Sequence, residues 1–402
     1  MRSLFKTVSL ESRFPLLSVE ENCIVSKNAD ITAAFEVTLP ELFTLTQAEY
    51  ESLHGTWAKA LRVLPDYTIV HKQDFFTEDR WQPTLGTEPP TFLTRSFERH
   101  FNERPYLHHS CYLFITKTTK EQMRRRSTFS TLCRGFIVPQ EVRDAEGIAR
   151  FLDAVGQAES ILRESGFVQL RRLTAEEIVG TDTVRGLLHR YLTLDSESAV
   201  NEDLRLDTGR MMVGDKILCL HTLTDLDDLP QQVATDARYE RLSTDRSDCR
   251  LSFAAPVGLL LGCNHIYNQF IFLDNHQETL RQFERRARNM NSLSRYSRAN
   301  AVNREWIDLY LNEAHAENRR SVRCHCNVLA WADEEGDLKK IRNEVGAQLA
   351  LMGCTPHHNT VDVPVLFWGA IPGNEADFPA EESFYTFLEP ALCFFTAATN
   401  YR

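Results

Sequence analysis

Three groups of soft donors stand out in the 402-residue chain: Cys324-His325-Cys326, His357-His358 after Pro356, and His108-His109 just before Cys111. Thiolate and imidazole together suit zinc, which takes four such ligands in a tetrahedron. The spacing argues against it. In residues 321–332, Val322, Cys324, Cys326, Val328, Ala330 and Ala332 alternate with Ser321, Arg323, His325 and Asn327, the period of a strand. On a strand, Cys324 and Cys326 point one way and His325 the other, so the three cannot close on one ion. No Cys-x-x-Cys pair is present to complete a site. The thiols therefore read as core, and both His pairs as ordinary surface residues. Nucleophilic chemistry finds no Gly-x-Ser-x-Gly elbow. The acid pairs Glu334-Glu335 and Glu381-Glu382 sit where helices should begin and complement the helix dipole there. Nucleotide chemistry finds neither Gly-x-x-x-x-Gly-Lys-Ser/Thr nor Gly-x-Gly-x-x-Gly. No catalytic, cofactor-binding or metal-ligating residue is assigned.

Arginine is the side chain whose spacing does suggest a task. Arg281, Arg285 and Arg288 recur at i, i+4 and i+7 on one face of an expected helix, with Arg286, Arg295 and Arg298 nearby. Arg124, Arg125 and Arg126 form a second basic tract, expected in an exposed loop. These six are the candidate partner-docking residues. Their partner could be an acidic protein surface, or the chain's own loop of Asp225, Asp227 and Asp228. Single-stranded DNA would want aromatics interleaved with the charge, and Tyr296 alone supplies that.

The elements that must position these residues follow from periodicity. After the strand at 321–332, Leu338, Ile341, Val345, Leu349 and Met352 make one helical stripe, closed by Gly353. Residues 363–371 are almost wholly apolar and are expected to form a central strand. Pro372-Gly373-Asn374 is a turn that redirects the chain. Upstream, Thr46 with Glu49 and Thr174 with Glu177 have capping-box spacing. Tyr50, Leu53, Trp57, Ala60 and Leu64 follow as the first buried stripe; Phe151, Val155 and Ala158 belong to another, opened by Asp144 and closed by Gly166. Residues 81–90 form a Pro- and Gly-rich loop, and 136–139 a short strand. Residues 251–273 read as two strands joined through Gly262-Cys263-Asn264-His265. Their Pro, Asn, His and Gln content rules out a membrane span of about 20 apolar residues. The helix at 276–293 should bury Leu280, Phe283, Ala287, Met290 and Leu293. The next helix, about 302–316, carries Trp306, Leu309, Tyr310 and Leu311.

Strands and helices alternate irregularly, with hairpins mixed in and no fixed-period repeat. The expected class is α+β: two lobes of mixed and antiparallel sheets packed with helices, ferredoxin-like in character. The lobes are expected at 1–200 and 201–402, joined through the polar stretch 195–208. A net charge of −11 and a pI near 5.7 disfavour a dedicated nucleic-acid binder. Ten unclustered cysteines, several on apolar strands, suit reduced thiols in a cytoplasm. Residues 1–15 lack an apolar run of signal-peptide length.

Four stretches carry a family resemblance: residues 30–76, 95–106 (RSFERHFNERPY), 239–270 and 371–387 (IPGNEADFPAEESFYTF). Together they resemble the N-terminal region of the TraG-family conjugative-transposon ATPases, the motors of type IV secretion systems, and the likeness spans nearly the whole chain. In that family a RecA-like motor with Walker motifs follows this region and holds ATP and Mg2+. This sequence ends at Asn400-Tyr401-Arg402 before such motifs, so a truncated chain is expected, and no catalytic residue carries over. The resemblance implies a non-catalytic docking and assembly domain, cytoplasmic and peripheral at the inner membrane. Its implied partners are other secretion and conjugation components, with self-association through the full-length motor. The alternatives are a DNA-contacting module and a stand-alone enzyme with a scattered Cys, His and acidic site.

Overall fold

The computed structural model describes residues 8–80, 91–102, 104–138, 145–181, 183–195, 203–207, 209–293 and 297–400. The expected loop at 81–90, Asp144, Arg295 and Tyr296 lie outside the described residues, as does much of the stretch 195–208.

In the first half, helix α1 (Leu10–Arg13) leads into the hairpin β1 (Leu16–Glu20) and β2 (Cys23–Ser26). There follow β3 (Ile31–Thr38), α2 (Gln47–Arg62), β4 (Thr68–Asp79), α3 (Phe92–Asn102), β5 (Tyr106–Lys117), α4 (Lys120–Met123), α5 (Ala145–Glu164) and β6 (Gln169–Arg172). Both expected capping boxes are present. At α2, Glu49 N–H donates to Thr46 Oγ1 while the Glu49 carboxylate accepts from Thr46 N–H at 2.8 Å. The same reciprocal pair opens α6 (Ala175–Val179), between Thr174 and Glu177. Strands β3, β4, β5 and β6 with helices α2 and α5 form a βαββαβ unit. Its sheet order is β6-β3-β5-β4, antiparallel throughout, so the ferredoxin-like expectation holds here.

After α7 (Leu187–Thr193), the second half repeats this plan. A hairpin of β7 (Leu204–Asp207) and β8 (Arg210–Val213) precedes β9 (Lys216–Leu223). A small separate ribbon, β10 (Asp236–Arg238) with β11 (Arg250–Ser252), comes next, then β12 (His265–Leu273). The helices α8 (His276–Leu293) and α9 (Arg298–Ala316) stand between β12 and β13 (Ser321–Ala332). Helix α10 (Glu335–Leu351) and β14 (His357–Asn359) complete the unit. Its order, β14-β9-β13-β12, matches that of the first half position for position. The two units meet where β4 pairs with β12, from Thr68 opposite Leu273 to Phe76 opposite His265. The sheet path β1-β2-β3-β5-β4-β12-β13-β9-β8-β7 therefore reads as the same arrangement from either end. The duplication lies in topology, which is why no fixed sequence period reveals it. The sheet does not stop at the expected division near residue 200: one antiparallel sheet runs through both halves.

Alternation assigns side chains to its two faces. One face carries Phe35, Val70, Leu113, Tyr267, Val328 and Cys219, covered by the apolar stripes of α2, α5 and α10. Gly353, with φ +77°, ends the α10 segment as expected. The other face carries Ala34, Phe75, Phe114, Phe270, Trp331 and Leu220. It is covered by α7 and by the segment that starts with α11 (Val363–Gly369).

That segment brings the first of two corrections. Most of the expected strand at 363–371 is a helix instead, Val363–Gly369: Pro364 occupies its first turn, where a missing N–H costs nothing. A short, wholly apolar run lacks the alternation that would separate a buried helix from a buried strand. The Pro372-Gly373-Asn374 turn is present, with Asn374 N–H donating to Ile371 O at 2.8 Å. Gly373 has φ +91°, and a Cβ there would meet Ile24 at 2.5 Å. Beyond it, β15 (Phe384–Phe387) pairs with the start of β13, and α12 (Leu388–Leu392) follows. The second correction concerns 251–273. Its first strand is only the short β11, and residues 253–261 turn through Pro256 and Gly258 while burying Ala254, Val257 and Leu261. Residues 136–138 have no regular structure.

Candidate functional site

Helices α8 and α9 form an arm joining two strands that are direct neighbours in the sheet. Asn275 starts it, its Oδ1 accepting from Glu278 N–H at 2.9 Å. The inner faces, Leu280 and Phe283 of α8 with Ile307, Tyr310, Leu311 and Ala314 of α9, pack together and onto Phe387, and Ala287 is buried as expected. The Tyr310 ring stacks on Phe387 at 4.5 Å, and its hydroxyl donates to Ser321 Oγ at 2.6 Å. Arg281, Arg285 and Arg288 lie on the opposite side of α8 and are exposed. Among the described residues none of the three has a carboxylate within ion-pair distance. The expected arginine face is therefore an open, uncompensated cationic strip. Helix α9 turns apolar residues to two sides. Tyr310 and Leu311 turn inward, but Trp306 and Leu309 are 60% and 61% exposed and line up with Val302 at helical spacing.

The second basic tract is not a uniform exposed loop. Arg124 is drawn against Asp274 at 3.6 Å and Glu278 at 3.9 Å. Arg125 is half-buried, its carbonyl accepting from Ala380 N–H at 2.7 Å, and Arg126 is exposed. Short helical turns on either side, α4 and residues 127–129, fix the tract.

Two buried polar networks flank the β4–β12 seam, one on each face, and sequence reading missed both. On the face covered by α2, α5 and α10, Lys72 Nζ lies 2.8 and 2.6 Å from the two oxygens of Asp74. Asp74 also accepts from His109 Nε2 at 2.9 Å, Gln269 Nε2 at 2.9 Å and Thr396 Oγ1 at 2.8 Å. Burial alone would push the Asp74 carboxyl up, but the Lys72 ammonium and His109 hold it far below the usual range. Donor atoms of Asp74, His109 and Cys111 lie within 4.8 Å of one another, which is metal-like spacing. Protein donors already saturate Asp74, however, and burial and the Asp74 charge push the Cys111 thiol well up. The cluster is a lock rather than a ligand set. The signal was legible: Lys72 and Asp74, two apart on an apolar strand, must share a face.

On the other face a chain of bonds crosses four adjacent strands, β5, β4, β12 and β13. Thr116 Oγ1 donates to Glu375 at 2.8 Å, and His71 meets Glu375 at 3.5 Å and Asn268 at 3.1 Å. Asn268 Nδ2 donates to Asn327 Oδ1 at 2.9 Å, and Asn327 Nδ2 to His325 Nε2 at 2.9 Å. Its other ring nitrogen, Nδ1, bonds Glu382 O at 2.5 Å. Burial holds His325 neutral, pushed down to about 3. Cys324 and Cys326 face the opposite side, as strand geometry requires, and burial raises the Cys326 thiol far from thiolate formation. His357 bonds Asp228 at 2.6 Å, and His358 lies edge-on to His221 with ring centroids 5.3 Å apart. His109, read as a surface residue, is buried in the Asp74 lock. These groups are spent on the fold.

Residues 3–55 match a family described as "Domain of unknown function, B. Theta Gene description" (DUF3875), a stretch taking in β1, β2, β3 and the start of α2. No curated protein matches the chain.

Proposed function

We propose that this chain is a docking and assembly module of a conjugative DNA-transfer motor, cytoplasmic and peripheral at the inner membrane. In this reading it takes no part in nucleotide chemistry, and ATP and Mg2+ belong to the family's motor domain. The observation that carries it is the open arginine strip on α8. Three like charges held on one rigid helix, without internal partners, form a surface that an acidic protein face would neutralise. The Asp74 carboxylate and the His325 ring support the same reading, because protein donors and acceptors engage them and leave the exposed arm as the reactive surface. Among the described residues no helix is long and apolar enough to cross a membrane. A DNA-contacting role is less well supported: Arg124, half of whose expected value lay in being free, pairs with Asp274 and Glu278.

The test is the triple variant Arg281→Glu, Arg285→Glu, Arg288→Glu in the full-length protein in its own cell. Transfer of DNA to a recipient should fall at least tenfold with protein abundance and melting temperature unchanged. Undiminished transfer would overturn the proposal. ATP turnover by the purified 402-residue chain would overturn its non-catalytic part.

A further inference from the structure

The outer face of α9 carries more than an apolar stripe. Arg298, Val302, Trp306, Leu309 and Glu313 follow one another at spacings of 4, 4, 3 and 4, so they share one side of the helix. Val302, Trp306 and Leu309 are 42%, 60% and 61% exposed. The inner side, Ile307, Tyr310, Leu311 and Ala314, is already committed to the arm. The order along the outer side is cation, apolar, aromatic, apolar, anion. Reversed and laid against itself about a point between Glu305 and Trp306, that order is self-complementary. Val302 falls opposite Leu309 of a second copy, about 5 Å from the axis along the helix at ~1.5 Å per residue. Arg298 falls opposite Glu313, about 11 Å out on either side; Glu313 already holds Arg319 of its own chain at 2.6 Å, so Arg298 of the second copy would share that carboxylate. The two Trp306 rings meet beside the axis.

We propose that α9 is a two-fold interface on which a second copy of this chain docks, helix antiparallel to helix. This goes beyond the docking reading and does not depend on it, since it uses another helix face and another partner. Self-complementarity selects the occupant. An isologous contact needs each residue and its counterpart to match across the axis, and both the apolar pair and the charge pair do so. Three apolar side chains per copy fall short of the roughly 20–30 residues a side of a stable interface, so the pair is reversible. Glu305, exposed and next to the axis, works against it, because two like charges approach there.

The register makes the test specific. The mass of the purified 402-residue chain is followed by sedimentation or light scattering over a concentration series. It should rise from monomer toward dimer. Val302→Glu and Leu309→Lys should each abolish the rise, and both sites are exposed, so folding is spared; circular dichroism checks this. The two together should restore it, since Glu at 302 meets Lys at 309 only in the antiparallel pair. Trp306→Ala should weaken dimerisation about thirtyfold or more, as central aromatics do. Glu305→Gln should tighten it. A wild-type chain that stays monomeric at every concentration overturns the proposal, and so does a double variant no better than its singles.

Discussion

The two halves of the sheet share one strand order yet are filled differently, and the difference locates what each half does. In the first, the connection from β3 to β4 is the long helix α2, with Leu53 and Trp57 buried. In the second, the corresponding connection from β9 to β12 is irregular, with a small ribbon and the buried turn at 253–261. Both solutions put apolar side chains on the same face, so burial is conserved between the halves while helix content is not. The contrast reverses at the next connection. Between β4 and β5 the described residues contain the single helix α3, whereas between β12 and β13 stands the α8–α9 arm. A repeated topology tolerates these changes because hairpin connections lie outside the core. The halves diverge most at the arm, where the exposed arginines and Trp306 gather.

Replacing Asp74 by Ala at the seam should have the largest effect. It leaves Lys72 buried without its counter-charge, at a cost on the order of 3–5 kcal/mol. Urea titration should show one transition moved as a whole. Two separated transitions would mean that the halves fold independently despite the shared sheet. Next come paired core truncations, Leu162→Ala in α5 and Leu349→Ala in α10, both almost fully buried. Each should cost about 2–5 kcal/mol, and by similar amounts if the two helices play equivalent parts.

Acid separates the halves more finely. Burial holds His221 at about 4, His265 at about 4 and His325 at about 3, all in the second half. Folding keeps them neutral while the unfolded chain binds protons from about pH 6.5, so their contribution drains away as pH falls below that value. Asp30, in the first half, runs the other way: burial raises it to about 6. Its ionised form costs stability above pH 6, and the cost fades as pH falls through 6 toward its unfolded value. Asp30→Asn should therefore stabilise by about 1 kcal/mol at pH 8, with the gain gone near pH 4. Hydrogen exchange at pH 7 and pH 5 should show β9, β12 and β13 losing more protection than β3 and β5. The reverse order would break the comparison. The smallest stability effect belongs to charge reversal at Arg281, Arg285 and Arg288, within about 0.5 kcal/mol. A larger loss would mean that this helix face is internal.

Periodicity made much of this legible. The strand at 321–332, the stripes of α2, α5, α8 and α10, both capping boxes, the turn at 372–374 and the α+β class all follow from spacing and turn chemistry. The helix at 363–369 was illegible because burial on all sides erases alternation. The exposure of Trp306 and Leu309 was illegible for a different reason: α9 has apolar residues on two sides, and sequence alone does not say which side meets the arm. Arg124 looked like its neighbours because its partners, Asp274 and Glu278, are far away in sequence. The polar networks were legible only in part: Lys72 and Asp74 share a strand face, but Asp74 meets Gln269 and Thr396 only once the sheet forms.

The attachment of the last described residues has a mechanical consequence. Thr396 bonds Asp74, Thr399 bonds His109 and exchanges backbone bonds with Pro40 and Leu42, and Asn400 bonds Leu107 O. A pull applied at residue 400 would load strands of the first half and the middle of the sheet in shear, across many bonds at once, rather than peel a single edge. Residues 396–400 are a stiff handle, and force entering there is shared among β4, β5 and the segment after β3.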